Sequence, residues 1–191
     1  MVTWPAVPAV PAVPAVPAVP AVPAQSTPPV VSSGVASSLA RREILVAEIT
    51  KGRGGKNRQI DLKKNIAEGF FGGVSAAHTC LLLAKNGNVE STDIRGIGTK
   101  KSDNFYVELS GLNGTVSGSY RERPLLLVEK KPNEYRYFWL YPSDSEFNAV
   151  YDAIIQPETP NRQGNQSIKL VVPYSDLYAV WAANPFALAG P

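Results

Sequence analysis

The segment YRYFWLY, residues 135–141, runs directly into PSDSE, residues 142–146. Side chains alternate across a β-strand, so the four odd-numbered aromatic residues of the first segment share one face, and Phe138 and Leu140 point the other way into a core. In the second segment, Ser143 and Glu146 have the spacing of a capping box, and apolar residues follow at helical intervals. The two segments predict a long aromatic strand followed by an amphipathic helix over residues 143–156.

Strand-like segments lie on both sides of this aromatic strand. Asn-Gly pairs at residues 86–87 and 113–114 predict hairpin turns between them. We therefore predict that residues 77–141 form an antiparallel meander of five or six strands, closed by one or two amphipathic helices, so that the fold class is α+β and rich in β-structure. The other predicted strands cover residues 43–50, 77–84, 89–98, 105–110, 115–123, 125–131 and 168–172, of which 115–123 has the polarity of an edge strand.

The first 40 residues differ in composition from the rest of the chain. Nine of the 17 prolines precede residue 30, and no charged residue precedes Arg41. Residues 5–24 repeat Pro-Ala-Val six times and end in Pro-Ala, which matches the three-residue period of polyproline II. We predict a stiff, extended arm, followed by a Ser/Pro-rich linker up to residue 40. The arm is either a spacer or a functional segment that threads between subunits or binds a partner.

The remaining chain predicts one globular domain, residues 41–184, with a poorly ordered tail at 185–191. A chain of this length can bury a hydrophobic core. The single cysteine, Cys80, excludes an internal disulfide framework and suits a reducing, intracellular compartment. With the single histidine, His78, it supplies too few ligands for a His/Cys zinc site, and no apolar run is long enough to span a membrane. We therefore predict no metal, no cofactor and no membrane.

A basic, glycine-rich loop follows the first predicted strand. Residues 51–58 have the sequence KGRGGKNR, and two further lysines follow shortly. Glycines allow a phosphate to approach the backbone closely, and the cations displace its counterions. The formal charge of +3 permits such a partner without requiring it. The loop is equally compatible with a solvated turn that keeps the protein soluble. Its candidate phosphate contacts are Lys51, Arg53, Lys56, Arg58, Lys63 and Lys64.

The aromatic strand offers a second candidate contact with nucleic acid. Bases stack on exposed aromatic rings at about 1–3 kcal/mol each, and Arg136 adds a cation on the same strand. The candidate stacking residues are Tyr135, Tyr137 and Trp139. Tyrosine hydroxyls are less typical of a dry core than Phe or Leu, which favours exposure. The alternative, which the residues leave open, is that this face packs against a helix or another subunit.

No catalytic signature stands out. Glu129-Lys130-Lys131 matches the E-x-K half of a PD-(D/E)xK nuclease site, in which two carboxylates hold Mg²⁺ and a lysine orients the attacking water. Pro132 follows this strand in place of a helix, so we interpret Glu129 as a solvated strand end. The candidates for the second carboxylate are Asp93, Asp103 and Glu108.

A cysteine nucleophile is the other catalytic arrangement to consider. His78 and Cys80 share one face of a predicted strand, but residues two apart on a strand are separated by roughly 7 Å, which exceeds the reach of a hydrogen bond. Both lie in an apolar run. We therefore predict that they belong to the core.

Two stretches carry a resemblance to a known family. These are WLYPSDSEF, residues 139–147, and LVVPYSDLY, residues 170–178. In topology, residues 105–156 resemble the sheet-then-helix unit of the Whirly-type single-stranded nucleic-acid-binding proteins and their transcriptional-coactivator relatives. The resemblance covers less than half of the chain and carries over no site residue. The charge-free arm before a basic, β-rich domain also resembles virion coat or genome-coating proteins, whose arms lace subunits together.

Taken together, these features favour a non-catalytic protein that binds single-stranded or genomic nucleic acid as a homo-oligomer. The alternative is a self-assembling structural protein of the coat or genome-coating type, in which the arm and the aromatic face mediate subunit contacts. A Mg-dependent nuclease is the third hypothesis.

Overall fold

The computed structural model describes residues 42–50, 59–74, 77–99, 105–113, 116, 118–132, 134–164 and 166–190. They belong to the second of the two units into which the chain divides, residues 31–191. The predicted arm and linker, residues 1–40, and the basic loop, residues 51–58, lie outside the described residues. No helix in the described ranges is long and apolar enough to cross a membrane.

In the described residues, nine strands form two sheets. The main sheet has six strands in the order β4-β3-β8-β7-β1-β9, and a second sheet has the order β2-β6-β5. Neighbouring strands are antiparallel except β3 and β8, which are parallel. This architecture confirms the predicted β-rich α+β class. The strands are β1 (Glu43–Glu48), β2 (Gln59–Leu62), β3 (Ala77–Leu83), β4 (Val89–Gly96), β5 (Gly98–Thr99), β6 (Phe105–Glu108), β7 (Leu125–Lys130), β8 (Glu134–Leu140) and β9 (Lys169–Pro173).

The predicted antiparallel meander is wrong in its strand order. β6 pairs with β2 in the second sheet, so the hairpin β3–β4 meets the hairpin β7–β8 directly, and β3 lies parallel to β8. Composition accounts for this order. β3, β8 and β1 carry apolar residues toward both faces and occupy inner positions of the sheet, whereas every second residue of β4 is exposed and β4 occupies an edge.

Short helical segments complete the fold. The segment α1 is a single π-helical turn, and α2 continues into a π-helical turn over Tyr151–Ile155 and a 3₁₀ segment over Gln156–Asn161. The segments are α1 (Ile66–Phe70), α2 (Phe147–Val150), α3 (Tyr174–Val180) and α4 (Pro185–Leu188).

The described residues form two hydrophobic cores, one on each face of the main sheet. The aromatic-side core contains the odd-numbered aromatic residues of β8 under α1, β2 and β6. The helix-side core contains Phe138 and Leu140 under α2, α3 and α4. The predicted alternation along β8 is therefore confirmed, and both faces are covered. The apolar positions of the predicted helix all lie in the helix-side core; they are Phe147, Val150, Tyr151, Ile154 and Ile155.

The predicted capping box is not formed. The helix begins at Phe147 rather than at residue 143, and the Asp144 carboxylate accepts a hydrogen bond from the Tyr141 backbone N–H at 2.7 Å. The Glu146 carboxylate instead lies 2.8 Å from the Lys85 ammonium. Their hydrogen bond raises the pKa of Lys85 and lowers the pKa of Glu146. A charged partner from the β3–β4 turn thus replaces the local backbone contact that a capping box requires.

Two further predictions are corrected, one for residues 115–123 and one for the predicted tail. The described part of residues 115–123 contains a 3₁₀ turn, Tyr120–Glu122, in place of a strand. The predicted tail, residues 185–191, contains α4 and buries Phe186 completely. Asn184 caps this helix, because its side-chain oxygen accepts a hydrogen bond from the Ala187 N–H at 3.0 Å. A proline at the first helical position and an aromatic anchor explain why this terminus folds.

Candidate nucleic-acid interface

The predicted stacking residues are buried in the aromatic-side core. Tyr135, Tyr137 and Trp139 expose 4 %, 0 % and 3 % of their surface. The Tyr135 ring packs against the rings of Phe70 and Phe71, at centroid distances of 5.9 and 5.0 Å. Burial raises the pKa of Tyr135 to about 12. A ring without an exposed face has no surface on which a base can stack, so the predicted stacking role of these three residues is corrected to a structural one.

The polar atoms of this aromatic row have partners inside the protein. The Tyr135 hydroxyl donates to the Phe70 carbonyl at 3.2 Å, and the Trp139 indole N–H donates to the Ser110 carbonyl at 2.7 Å. The Tyr137 hydroxyl and the Ser110 hydroxyl lie 3.0 Å apart. Polar atoms that are satisfied internally remove the cost of burying Tyr and Trp. The tyrosine hydroxyl groups, from which the sequence favoured an exposed face, therefore form hydrogen bonds with the loop after β6 and with α1.

The predicted cationic contacts that the structure describes do not form one surface. Lys63 and Lys64 are exposed just before α1, on the aromatic side of the main sheet. Arg136 lies on the helix side, where its guanidinium donates to Glu134 and to the Gly190 carbonyl, each at 2.8 Å. The remaining predicted contacts, Lys51, Arg53, Lys56 and Arg58, lie outside the described residues. Arg136 is therefore separated by the sheet from the two described lysines.

A groove beside strand β9 contains one of these two lysines. Its volume is about 480 Å³, and it lies between α1 and β9 on the aromatic side of the main sheet. Lys63 lines it together with Lys169 of β9, and Glu43 is the carboxylate on its wall. Apolar contacts come from Ile66, Phe70 and Val171. The groove therefore combines two ammonium groups with a partly apolar floor.

Lys169 was not predicted as a phosphate contact from the sequence, although it lines this groove next to Lys63. Its ammonium donates to the Ser167 hydroxyl. Burial lowers the pKa of Lys169 and is the largest effect. The charges of Asp61 and Glu48 oppose it, and the charge of Lys63 adds to it. In the sequence this lysine is one cation in a short strand, and nothing there shows that β9 carries it next to Lys63.

The described residues do not assemble the nuclease site. Glu129 is fully buried on the helix side, where it pairs with Arg42 and lies 3.5 Å from the Lys131 ammonium, so its interpretation as a solvated strand end is wrong. Asp93 lies on the opposite face of the sheet, and Glu108 lies in the second sheet. Asp103 is outside the described residues. No group of three or more His, Cys, Asp or Glu side chains in the described ranges is placed to hold a metal ion.

The prediction that His78 and Cys80 belong to the core is confirmed for the cysteine. Cys80 is 3 % exposed, and its thiol contacts the His78 carbonyl at 3.7 Å rather than the imidazole. The imidazole is half-buried, and its Nε2 lies 3.2 Å from the Phe71 carbonyl. The pair therefore lacks the hydrogen bond that an activated cysteine nucleophile requires.

Cys80 in the folded protein should react with Ellman's reagent at least about 100-fold more slowly than in the denatured chain. Burial raises the pKa of the thiol to about 11, so roughly 0.1 % is thiolate at about pH 8, against about a quarter for an ordinary cysteine. The absorbance of the released thiolate measures both rates, with the protein in concentrated urea as the reference. Equal rates in the two states would contradict the burial of Cys80.

Comparison of the chain with known protein families, with curated proteins and with solved structures found no significant match. The resemblance to Whirly-type proteins therefore stays a prediction.

Proposed function

We propose that the protein binds the phosphate backbone of single-stranded or genomic nucleic acid, without catalysis, in the groove beside β9. The supporting observation is the position of Lys169 next to Lys63 and next to Thr50 and Gln59, the described residues on either side of the basic loop. A partly desolvated ammonium is stabilised when an anion replaces the water that it has lost. A phosphate in the groove would supply that anion, and the two lysines would hold it from α1 and from β9.

The ends of the basic loop support the same location. Thr50 and Gln59, the described residues on either side of residues 51–58, line a small hollow of about 80 Å³ together with Ser167 and Lys169. The chain that carries four cations therefore leaves and re-enters the described fold next to Lys169. Several cations close together can contact successive phosphates along one strand.

This arrangement predicts binding that does not depend on base sequence. Contacts to phosphate position a nucleic acid but carry no sequence information. Tyr135, Tyr137 and Trp139 are buried. Stacking of bases on these rings is therefore not part of the proposed mechanism. Affinity should therefore fall steeply as the salt concentration rises and should depend only weakly on base composition.

The test is the binding of a labelled single-stranded oligonucleotide to the full chain across a salt series. Each phosphate contact contributes about 0.7 to the slope of log affinity against log salt for a single strand. Replacing both Lys63 and Lys169 by glutamine should reduce the slope by about 1.4 and weaken binding at low salt. Lys85→Gln is the matched control, because Lys85 lies at the β3–β4 turn and pairs with Glu146.

Two outcomes would contradict the proposal. One is the absence of binding at low salt, and the other is an equal loss of affinity in the double variant and in the Lys85→Gln control. Circular dichroism of each variant separates a loss of binding from a loss of fold.

A self-assembling structural protein is the second candidate, and the exposed outer strand β4 favours it. In that case the subunit contact is not the aromatic face, whose side chains are buried within one chain. Salt separates the two candidates, because an apolar contact between subunits should hold or strengthen as salt rises, whereas phosphate binding should weaken.

A further inference from the structure

Strand β4 forms one edge of the main sheet and exposes two large apolar residues. Ile94 is 75 % exposed and Val89 is 52 % exposed. No described strand pairs with the outer edge of β4. The opposite edge strand, β9, begins with Lys169 and ends with Pro173, two residue types that commonly block pairing at an edge. β4 contains neither lysine nor proline.

Two opposite charges flank Ile94 on β4. Asp93 and Arg95 share the face that is turned toward the aromatic-side core, and the guanidinium lies 3.1 Å from the carboxylate. Their side chains remain 31 % and 37 % exposed. The Asp93 carboxylate also accepts a hydrogen bond from the Ser110 hydroxyl at 2.9 Å. Ile94 points to the other face of the sheet, where the helices leave it uncovered.

Symmetry limits how β4 could pair with a second copy of itself. A two-fold axis perpendicular to the sheet pairs the two β4 strands antiparallel. Residues directly opposite each other in such a pair have side chains on the same face of the sheet. Each permitted register is therefore centred on one residue, which lies opposite its own copy. A centre at Asp93 or Arg95 places like charges opposite each other, and a centre at Thr92 places Glu90 opposite Ile94. A centre at Ile94 places each Asp93 opposite Arg95 of the other copy.

We propose that the protein forms a two-fold symmetric dimer in which β4 pairs antiparallel with β4 of a second copy, centred on Ile94. The two Ile94 side chains then lie side by side, and two Asp93–Arg95 pairs join the copies across the strands. Opposite charges and apolar residues that face each other across neighbouring strands stabilise such a pair. The backbone groups of both edges also gain partners.

The proposed dimer is independent of phosphate binding in the groove. β4 and β9 lie at opposite edges of the main sheet. Pairing through β4 therefore leaves the groove beside β9 accessible on each copy, and failure of either proposal does not decide the other.

The first test measures the mass of the full chain by sedimentation over a wide range of protein concentrations. We expect the mass to rise from 20.5 kDa toward twice that value. Ile94→Asp should raise the dissociation constant by about tenfold or more, because two carboxylates then face each other. Since Ile94 is exposed, circular dichroism should show that this variant keeps its fold. A monomer at every concentration, or a dimer unaffected by Ile94→Asp, would overturn the proposal.

The second test examines the register with disulfide cross-linking. Directly opposite residues have Cβ atoms about 4.5–5.5 Å apart, so Ile94→Cys should form a disulfide-linked dimer under mild oxidation. Val89→Cys is the control, since Val89 is also exposed on β4 but lies far from its own copy in this register. The native Cys80 is buried and should not compete. Equal cross-linking at both positions would overturn the proposed register.

A charge exchange provides an independent check of the same register. Arg95→Asp should weaken the dimer, because each Asp93 then faces a second carboxylate. The double variant Asp93→Arg with Arg95→Asp should recover at least part of the lost affinity, because opposite charges again face each other. A double variant that dimerises no better than Arg95→Asp, while keeping a native circular dichroism spectrum, would overturn the Ile94-centred pairing.

Discussion

Replacing Glu48 with glutamine should lower the free energy of unfolding by about 3–5 kcal/mol. The Glu48 side chain is fully buried at the end of β1, and its two oxygens have different partners. One accepts from the Arg162 guanidinium and the other from the Ile168 backbone N–H, each at 2.8 Å. A second buried guanidinium, that of Arg123, lies 4.0 Å away. Glu48 is therefore the counter-charge for two cations that are withdrawn from water.

Glutamine keeps the shape of this side chain but cannot keep its function. An amide has one acceptor oxygen, so its NH₂ group must face either the Arg162 guanidinium or the Ile168 N–H, which are both donors. Both guanidiniums also lie over the Tyr120 ring, with Arg162 at 3.8 Å and Arg123 at 4.6 Å from its centroid. A cation–π contact is worth about 0.5–2 kcal/mol, which is too little to replace a buried counter-charge.

Urea unfolding followed by circular dichroism would measure this loss. Glu68→Gln is the control, because Glu68 is exposed and its pair with Lys64 at 3.9 Å should contribute less than about 0.5 kcal/mol. A double-mutant cycle with Arg162→Gln should give a coupling energy of at least about 1 kcal/mol. If Glu48→Gln were as stable as the control, the counter-charge role of Glu48 would be wrong.

Glu48 also shows why some of the structure could not be predicted from the sequence. The strand pattern of residues 43–50 was sufficient to predict β1, because continuous apolar residues indicate a strand that is buried on both faces. The same pattern gave no information about the carboxylate within it. Arg162 lies 114 positions away in the chain, and only the pairing of β1 with β9 brings the loop after α2 to this end of the sheet.

The aromatic strand has a similar division between what was predictable and what was not. Period-two alternation correctly predicted which residues of β8 share a face. Alternation does not reveal whether another element covers that face. The cover here comes from β6, which was predicted as a strand, and from β2 and α1. The last two are a four-residue strand and a single π-helical turn, which are too short to give a periodic signal.

The groove beside β9 depends on the same kind of long-range placement. Lys63 was predicted as a phosphate contact because it follows the basic loop, whereas Lys169 lies more than a hundred positions later in a short strand. Charge composition alone could not associate the two lysines. Their proximity follows from the position of β9 next to β1, which also places Thr50 and Gln59, the residues on either side of the basic loop, beside Lys169.

Replacing Trp139 with alanine should lower the free energy of unfolding by about 3–5 kcal/mol. The side chain is 3 % exposed in the aromatic-side core, and its indole N–H donates to the Ser110 carbonyl at 2.7 Å. Truncation would leave a large cavity next to Leu82 and Tyr137 and would remove the donor that holds the loop after β6. Urea unfolding measures the loss, and Leu188→Ala, at a residue 54 % exposed, is a control that should change stability little.

Trp139→Phe separates a structural role from a role in binding. Phenylalanine keeps most of the ring volume but loses the N–H, so the expected cost is about 1–2 kcal/mol and the variant should remain folded. Because the ring at position 139 is covered by the protein, oligonucleotide affinity and its salt slope should equal those of the unchanged protein. The double variant of Lys63 and Lys169, in contrast, should show a weaker affinity and a smaller slope. Weaker binding by folded Trp139→Phe would show that the aromatic face becomes accessible when nucleic acid binds, and would restore base stacking to the mechanism.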